Sequence, residues 1–349
     1  MPKKRMFGSI CAQQDNLGDI AIRRLFFETF AENKTPLVLL THRMPQTYIE
    51  AFELSGDVTL VSNPVFFQLN LFFAAISGRA NLAYAPGPHT LSDAPKALAK
   101  AMLMLVNILL IKMTGGVVVT AGRAVRGDAP LAKCLEKLLI RLSKAYVVRD
   151  TVSASVVGRP LTFAPDIALG HMKAARTENR GVIACSFRSD TQVDVDTFER
   201  LVKNLDELGF KVVLVSQVAR DDSQHLALAE KFELRSYLWL SKSHSEQQRI
   251  VDEIYSSSYA VVSNRLHGLI FGINCGALPV EYRFDGADKI RSTLASGFGE
   301  YIVVNNMPAS DSPTEPLILA QDFSLRESEF EQAIRQAQAS VHKVLSTLN

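Results

Sequence analysis

The sequence is short of most features that would place it at once. It has four cysteines in 349 residues (Cys11, Cys134, Cys185 and Cys275) and no C-x-x-C pair. That excludes a disulfide framework and a zinc ribbon, and reads as reduced thiols. Neither sign of charge dominates: 38 Lys and Arg stand against 36 Asp and Glu, a net charge of +2. Nothing global therefore points to nucleic acid, although a local basic pocket for a small anion stays open. The chain has no GxxxxGK[ST] loop, no GxGxxG after a strand, no HExxH and no GxSxG. Its seven histidines are dispersed, so no metal site is expected. The basic opening Met1-Pro2-Lys3-Lys4-Arg5 leads into an apolar stretch that Asp15 and Asp19 break, without a small-residue cleavage site. No signal peptide is read there, and the expected location is cytoplasmic.

No apolar run is long enough for a membrane span. The nearest, Leu98–Met113, is interrupted by Lys100, Asn107 and Lys112. Its plain reading is a buried helix. Its sharper reading is a helix on the inner leaflet, with Lys100 and Lys112 snorkelling to lipid headgroups, which would make the protein peripheral at the inner face of the membrane.

What is present is ample apolar material. Hydrophobic residues make up 47% of the chain and charged residues 21%, which excludes a disordered protein. The length suggests two domains. Apolar runs alternate with helical patterns, the mark of a parallel α/β sheet. Strands are expected at Met6–Ala12, Pro36–Thr41, Val58–Val61 and Leu82–Ala85, the last stopped by Pro86-Gly87-Pro88. Val117–Thr120 and Ala145–Val148 follow, with helices over Ile20–Phe30, Leu98–Met113 and Pro130–Ser143. Composition turns polar over Lys173–Arg180, which reads as a linker. A second series then begins. It has strands at Val182–Ser186, Lys211–Ser216, Tyr259–Ser263 and Leu278–Glu281, and helices at Thr197–Glu207, Asp222–Lys231, Gln247–Tyr255 and Leu266–Cys275. The expected fold is α/β, with two Rossmann-like domains over residues 1–172 and 181–349 facing each other across a cleft. An amphipathic helix at Leu325–Leu345 is expected to pack back across the linker.

Three strand ends carry candidate chemistry. Asn16-Leu17-Gly18-Asp19 lies where the first strand turns into the first helix. Gly18 would allow a positive φ, and Asn16 or Asp19 would cap the helix. Lying at a strand's carboxyl end, where α/β ligands bind, Asp19 could equally accept a substrate proton. Arg149-Asp150 closes another strand, and Ala164-Pro165-Asp166 follows. Arg149 could pair with Asp150 or Asp166, or point its planar fork at a carboxylate or phosphate. The most informative stretch is Ser263-Asn264-Arg265-Leu266-His267-Gly268. Here a buried strand runs straight into a helix whose free N–H groups favour an anion. Arg265 adds a fixed charge, His267 a group that titrates near neutrality, and Gly268 room for a close approach. The bland alternative is a surface arginine and a core histidine. Lys289, beyond Leu278–Glu281, is a solvated lysine or a further anion contact.

In these residues the chain resembles the polysaccharide pyruvyl transferase family. The shared elements are N-x-G-D (Asn16, Gly18, Asp19), R-D-x-x-S (Arg149, Asp150, Ser153), P-D (Pro165, Asp166) and S-x-R-L-H-G (Ser263, Arg265, Leu266, His267, Gly268). Gly276, Pro279 and Lys289 follow in the family's order. The resemblance implies a fold like the two-domain GT-B glycosyltransferases, phosphoenolpyruvate as donor substrate with no cofactor, and a bacterial glycan sugar, lipid-linked, as acceptor. The product would be a pyruvate ketal on two hydroxyls. Arg265, His267 and Arg149 match the family's donor-holding positions. With that donor, C3 must be protonated, which His267 could do, and Asp19 or Asp166 could take the hydroxyl proton as base. Where family members often carry a glycine-rich strand end, this chain has Ala85-Pro86-Gly87-Pro88-His89; its Ala121–Gly127 segment departs too. Two other functions fit the same cleft: a GT-B glycosyltransferase using a nucleotide sugar, and a non-catalytic glycan-binding subunit. No nucleic-acid partner is expected, and nothing in the sequence sets the oligomeric state.

Overall fold

The structure, a computed structural model, describes residues 3–171, 180–282, 290, 293–294 and 327–348. The chain divides into two compact units. One comprises Met1–Gln14, Asp19–Ile167 and Ser340–Asn349; the other comprises Asp15–Gly18 and Ala168–Ala339. Most of the expected linker and Lys289 lie outside the described residues.

In the first unit the β-branched and leucine-rich runs form a fully parallel sheet. Its strands are β1 (Arg5–Ser9), β2 (Leu37–Leu40), β3 (Val58–Val61), β4 (Ala80–Ala83), β5 (Gly87–Thr90), β6 (Val118–Arg126), β7 (Ala145–Val148) and β8 (Thr162–Phe163). Their order is β3-β2-β1-β4-β6-β7-β8, with β5 paired to β6. Parallel strands buried on both faces need crossover helices. Here those are α1 (Leu17–Glu32), α2 (Gln46–Glu50), α3 (Pro64–Ile76), α4 (Pro95–Met113), α5 (Pro130–Leu142) and α6 (Thr151–Val157). Leu71, Ala74 and Ala75 of α3 and Leu105, Ile108 and Ile111 of α4 share one core with Phe7, Val38, Leu82 and Val118 of the sheet.

Two expectations change in this unit. β4 stops before Pro86-Gly87-Pro88 as expected, but a further strand follows at once: β5 begins at Gly87 and pairs in register with Arg123–Arg126. Proline is tolerated there because β5 pairs only with β6, so the missing N–H leaves no ladder bond unmade on its other side. β6 correspondingly runs to Arg126 rather than stopping at Thr120. Helix α3 had no counterpart in the sequence reading, because Pro64–Ile76 is apolar on nearly every side and shows no amphipathic period.

The second unit repeats the design with β9 (Val182–Ser186), α7 (Val195–Glu207), β10 (Lys211–Val215), α8 (Asp222–Phe232), β11 (Arg235–Tyr237), α9 (His244–Ser256), β12 (Ser258–Ser263), α10 (Leu266–Asn274) and β13 (Leu278–Glu281). The order is β11-β10-β9-β12-β13, all parallel. Phe187, Phe198, Leu201, Leu205, Leu214 and Val262 pack its core, each buried side chain contributing roughly 1.5–3 kcal/mol. Asp194 and Ser243 cap α7 and α9 by accepting from Thr197 N and Glu246 N. The terminal helix α11 spans Glu327–Ser346.

Each sheet has one place where its strand order reverses. In the first unit this falls between β1 and β4, in the second between β9 and β12. Ligands of open α/β sheets bind beside the carboxyl ends of the strands at such a point. The loop after β1 holds Asn16, and the loop after β12 holds Asn264 and Arg265.

Candidate functional site

The switch point of the second unit gathers the most polar chemistry. Ser263 ends β12 by donating its hydroxyl to Ser186 O (2.6 Å) while accepting from Arg265 N (2.9 Å). Asn264 Oδ1 accepts from Arg188 N at 2.8 Å, which ties the loop after β9 to the loop after β12. That bond fixes the amide's orientation. It leaves Asn264 Nδ2 buried with no partner among the described residues.

Arg265 occupies the N-cap position of α10 in an extended conformation, and no side chain caps that helix. Its guanidinium grips Asp221 through Nε and Nη2, the second contact at 2.6 Å. Nη1 has no partner among the described residues. Asp221 is fully buried and also accepts from Ser189 N at 3.0 Å. Two further arginine–aspartate pairs flank this one. Arg188 chelates Asp190, whose carboxyl it draws down to about 2. Arg220 holds Asp15 through Nε at 2.7 Å and Nη2 at 2.5 Å. Burial works against the Asp15 charge, yet Arg220 keeps that carboxyl below its ordinary range. Three arginines thus stand beyond adjacent strands β10, β9 and β12, each matched by a carboxylate.

Segment Asp15–Gly18 lies against this cluster. Leu17 N donates to Gln217 O (3.2 Å), Ala219 N donates to Asp15 O (3.0 Å), and Asn16 bridges to Val218. Asn16 Oδ1 accepts from Gly18 N at 3.0 Å, so it is Asn16 that turns the chain into α1. Gly18 is not in the left-handed region, contrary to the expectation of a positive φ. Its glycine has another cause: a Cβ there would lie 2.2 Å from His267 Nδ1. The missing side chain is the space the imidazole occupies. Gly268 serves a similar purpose, since a Cβ would meet Ser263 Oγ at 2.7 Å and Gln217 Nε2 at 3.0 Å. The close approach it allows is to its own unit's side chains.

His267 is the second residue of α10, half-buried, with its ring tilted 33° to Phe271 at 6.5 Å. Leu266, the first residue of the helix, is also half-buried. Asn16, Gly18, Arg265, Leu266, His267 and Gly268 are therefore brought together in one unit.

Asp19, Arg149 and Asp166 belong to the other unit. Arg149 Nη1 donates to Asp166 Oδ2 at 2.7 Å, and both residues are buried. Asp19 Oδ1 accepts from Arg23 at 2.7 Å. Asp150 caps α6 through Ser153 N (2.8 Å) and binds Arg126 at 2.7 Å. Of the two carboxylates the sequence offers Arg149, Asp166 is the one it pairs with. The sequence reading passed over Arg188, Arg220 and Asp221. Arg188 carries the signal used for Arg149, an arginine just past a strand's carboxyl end.

Behind the site, His225 is fully buried, and burial lowers its pKa to about 4. Its Nε2 accepts from Phe187 N (2.8 Å), so Nδ1 carries the proton and donates to Ser216 Oγ (2.8 Å). Protonating Nε2 would break the bond to Phe187 N–H, the residue before Arg188. The unfolded histidine titrates near 6.5. Between that value and about 4 the unfolded chain binds more protons, so stability is full above pH 6.5 and falls as pH drops through the window. The strongly depressed carboxylates act lower: Glu136, buried but held by His89 and Arg123, and Asp190 both sit near 2. Thermal melts should therefore show a declining melting temperature from pH 6.5 downward, and His225→Gln should flatten that slope. An unchanged slope in the variant would assign the decline to another group.

Comparison with known proteins bears on family and fold. Residues 128–277 match the family model of polysaccharide pyruvyl transferase. The match takes in Arg149, Asp166, Asp221 and Ser263–Gly268. No curated protein matches the sequence. Among solved structures, UDP-GlcNAc 2-epimerase from Neisseria meningitidis bound to UDP-GlcNAc is similar with a TM-score of 0.56 at 10% identity, covering 99% of each chain. A glycosyltransferase from Rickettsia africae has a TM-score of 0.55 at 13% identity, over 100% of this chain and 95% of its own. Anabaena HepE in complex with UDP reaches 0.53 at 10% identity, over 99% and 96%. At such identities the likeness is one of fold, and the fold is the two-domain α/β type of GT-B glycosyltransferases and epimerases.

Proposed function

We propose that this chain, which carries a polysaccharide pyruvyl transferase domain over residues 128–277, transfers a pyruvyl group from phosphoenolpyruvate to two hydroxyls of a glycan sugar, forming a ketal. One arrangement carries the reading. At the switch point of the second unit, an uncapped helix N-terminus, Arg265 Nη1 and the buried Asn264 Nδ2 all offer donors beside His267. Phosphoenolpyruvate bears a phosphate and a carboxylate, so donors of this kind suit it. An acceptor oxygen on Asn264 Nδ2 would also satisfy a buried group that is costly to leave unpaired.

In the proposed reaction His267 protonates C3, which makes C2 electrophilic, and a sugar hydroxyl adds to C2. The bond from C2 to the phosphate oxygen breaks, and the second hydroxyl closes the ketal. Of the two hydroxyl protons, one replaces the proton that His267 gave to the methyl group and the other leaves with phosphate. Arginines and helix N–H groups carry the charge, so the chemistry needs no metal or cofactor. Arg149, which pairs with Asp166, remains a proposed donor contact. Asp19 and Asp166 remain the proposed bases. A lipid-linked glycan is the proposed acceptor and the cytoplasm the proposed location.

A second reading has its own support, because UDP-bound epimerase and HepE share the fold. The same helix terminus would then take a nucleotide diphosphate. A thermal-shift titration separates the two. Phosphoenolpyruvate should raise the melting temperature and UDP-sugars should not, and inorganic phosphate should appear when a glycan acceptor is added. Stabilisation by UDP-sugars alone would replace the pyruvyl reading with the glycosyl one. Donor binding without phosphate release from any glycan acceptor would favour a non-catalytic subunit.

A further inference from the structure

Helices α3 and α4 of the first unit lie side by side on one face of the sheet, joined by a reciprocal amide pair. Gln68 donates to Asn107 Oδ1 at 2.6 Å, and Asn107 donates back to Gln68 Oε1 at 3.1 Å. Each buries one face in the core described above. The opposite faces are apolar and exposed. On α3 they carry Val65, Phe66, Leu69, Phe72, Phe73 and Ile76; on α4, Met102, Leu103, Val106, Leu109 and Met113. Phe66 is 65% exposed, Phe73 61% and Met113 81%. In both helices the spacing follows i, i+3, i+4, i+7, one continuous stripe per helix. Scattered surface leucines need no explanation, but a two-helix apolar face of this kind marks an interaction surface.

Charge decides the occupant. Neither α3 nor α4 contains an acidic residue. Lys96, Lys100 and Lys112 are exposed on α4, and Arg79 follows α3. At 3.6 residues per turn, Lys100 and Lys112 stand about a third of a turn to either side of the stripe centred on Val106. That is where lysines reach past an apolar stripe to headgroups. Neighbouring α5 adds Lys133, Lys137 and Arg141, while its one carboxylate, Glu136, is buried against Arg123 and His89. Asp93, between β5 and α4, is committed to Ala132 N at 2.8 Å. A second copy meeting this face about a two-fold axis would set lysine against lysine with no carboxylate between them. Among the described residues no helix is long and apolar enough to cross a membrane, so the stripe cannot be a span.

We infer that the α3–α4 face is a docking surface for an anionic lipid bilayer: the phenylalanines and methionines enter the headgroup boundary and the flanking lysines pair with lipid phosphates. The inference does not depend on the proposed reaction. It retains the leaflet reading of Leu98–Met113 and moves its centre to α3, where the aromatic residues are.

The test is vesicle flotation of the full chain. Vesicles of phosphatidylcholine with about a third phosphatidylglycerol should carry the protein at low salt, and pure phosphatidylcholine should carry far less. Salt near 0.5 M should release part of it, by screening the lysines. Phe66→Ser/Phe73→Ser should lower partitioning at least about tenfold, as should Lys100→Glu/Lys112→Glu. All four positions are exposed, and circular dichroism on the same samples establishes that each variant is folded. Absence of the wild type from anionic vesicles at low salt overturns the inference. So does binding that both folded variants retain, or a wild-type dimer that Phe66→Ser/Phe73→Ser dissociates without any vesicle binding.

Discussion

Arg265→Ala should cost the protein twice over, once in stability and once in donor affinity. Asp221 is fully buried, and Arg265 supplies two of its hydrogen bonds. Removing one partner of a buried pair leaves an uncompensated charge, at about 3–5 kcal/mol. Arg188 and Arg220 also lie within Coulombic range of Asp221, so the lower end of that range is expected. For a protein of this size the melting temperature should fall by roughly 6–12 °C. The second substitution Asp221→Asn removes the stranded charge while keeping the oxygen that Ser189 N uses. Arg265→Ala/Asp221→Asn should therefore recover most of the lost stability. Phosphoenolpyruvate affinity should behave differently, falling by roughly 2–5 kcal/mol in the single variant and staying low in the double. Arg265→Lys should rescue poorly, since an ammonium cannot both chelate Asp221 and offer a third N–H outward. The measurements are melting temperature and donor-induced shift on the same preparations. If donor affinity returns together with stability in the double variant, Arg265 is a structural residue and the donor lies elsewhere.

That prediction rests on a pairing the sequence does not display. Arg265 and Asp221 are 44 residues apart, Arg149 and Asp166 17, and Arg220 and Asp15 205. Arg149 and Arg265 were legible as candidates because each sits just past a strand of β-branched residues, whereas Arg220 and Asp221 lie further from a strand end and show no such signal. Which carboxylate meets which guanidinium depends on strand order, and no local pattern encodes strand order. The parallel sheets were legible for the same reason the candidates were, since apolar runs alternating with helical stretches have few other solutions. Short edge strands were not: β8 has two residues and β11 three, too few for any period to show. Helix α3 failed in the opposite way. The segment PVFFQLNLFFAAI is rich enough in apolar side chains to hide its own periodicity, and its exposed phenylalanines run against the rule that such residues go inside. At Gly18 the expected reason for the glycine and the actual one differ. A glycine after a strand suggests a turn needing a positive φ, whereas here it makes room for an imidazole 249 positions further along the chain.

His267→Gln should lower turnover by about 10²–10⁴-fold, the range for losing a positioned general acid. Glutamine keeps a hydrogen-bonding group of similar reach but cannot give up a proton near neutral pH. Donor binding should fall less than in Arg265→Ala, because the uncapped helix terminus and Arg265 Nη1 remain. The wild-type rate should decline on the alkaline side as the imidazolium is lost, and that limb should disappear in the variant. Gly18→Ala offers an independent handle on the same ring. Its added Cβ would sit 2.2 Å from His267 Nδ1 and 2.6 Å from the His267 Cβ, so either the imidazole or the Asp15–Gly18 segment must shift. Displacing a catalytic group by an ångström costs on the order of a hundredfold. A ring that only fills space predicts another pattern, in which both variants melt earlier and turn over normally per folded molecule. Single-turnover rates and melting curves on one preparation separate these outcomes. A folded His267→Gln protein with near-normal chemistry and an intact alkaline limb would remove the proton donor from the proposed reaction, while leaving the anion site at the start of α10 in place.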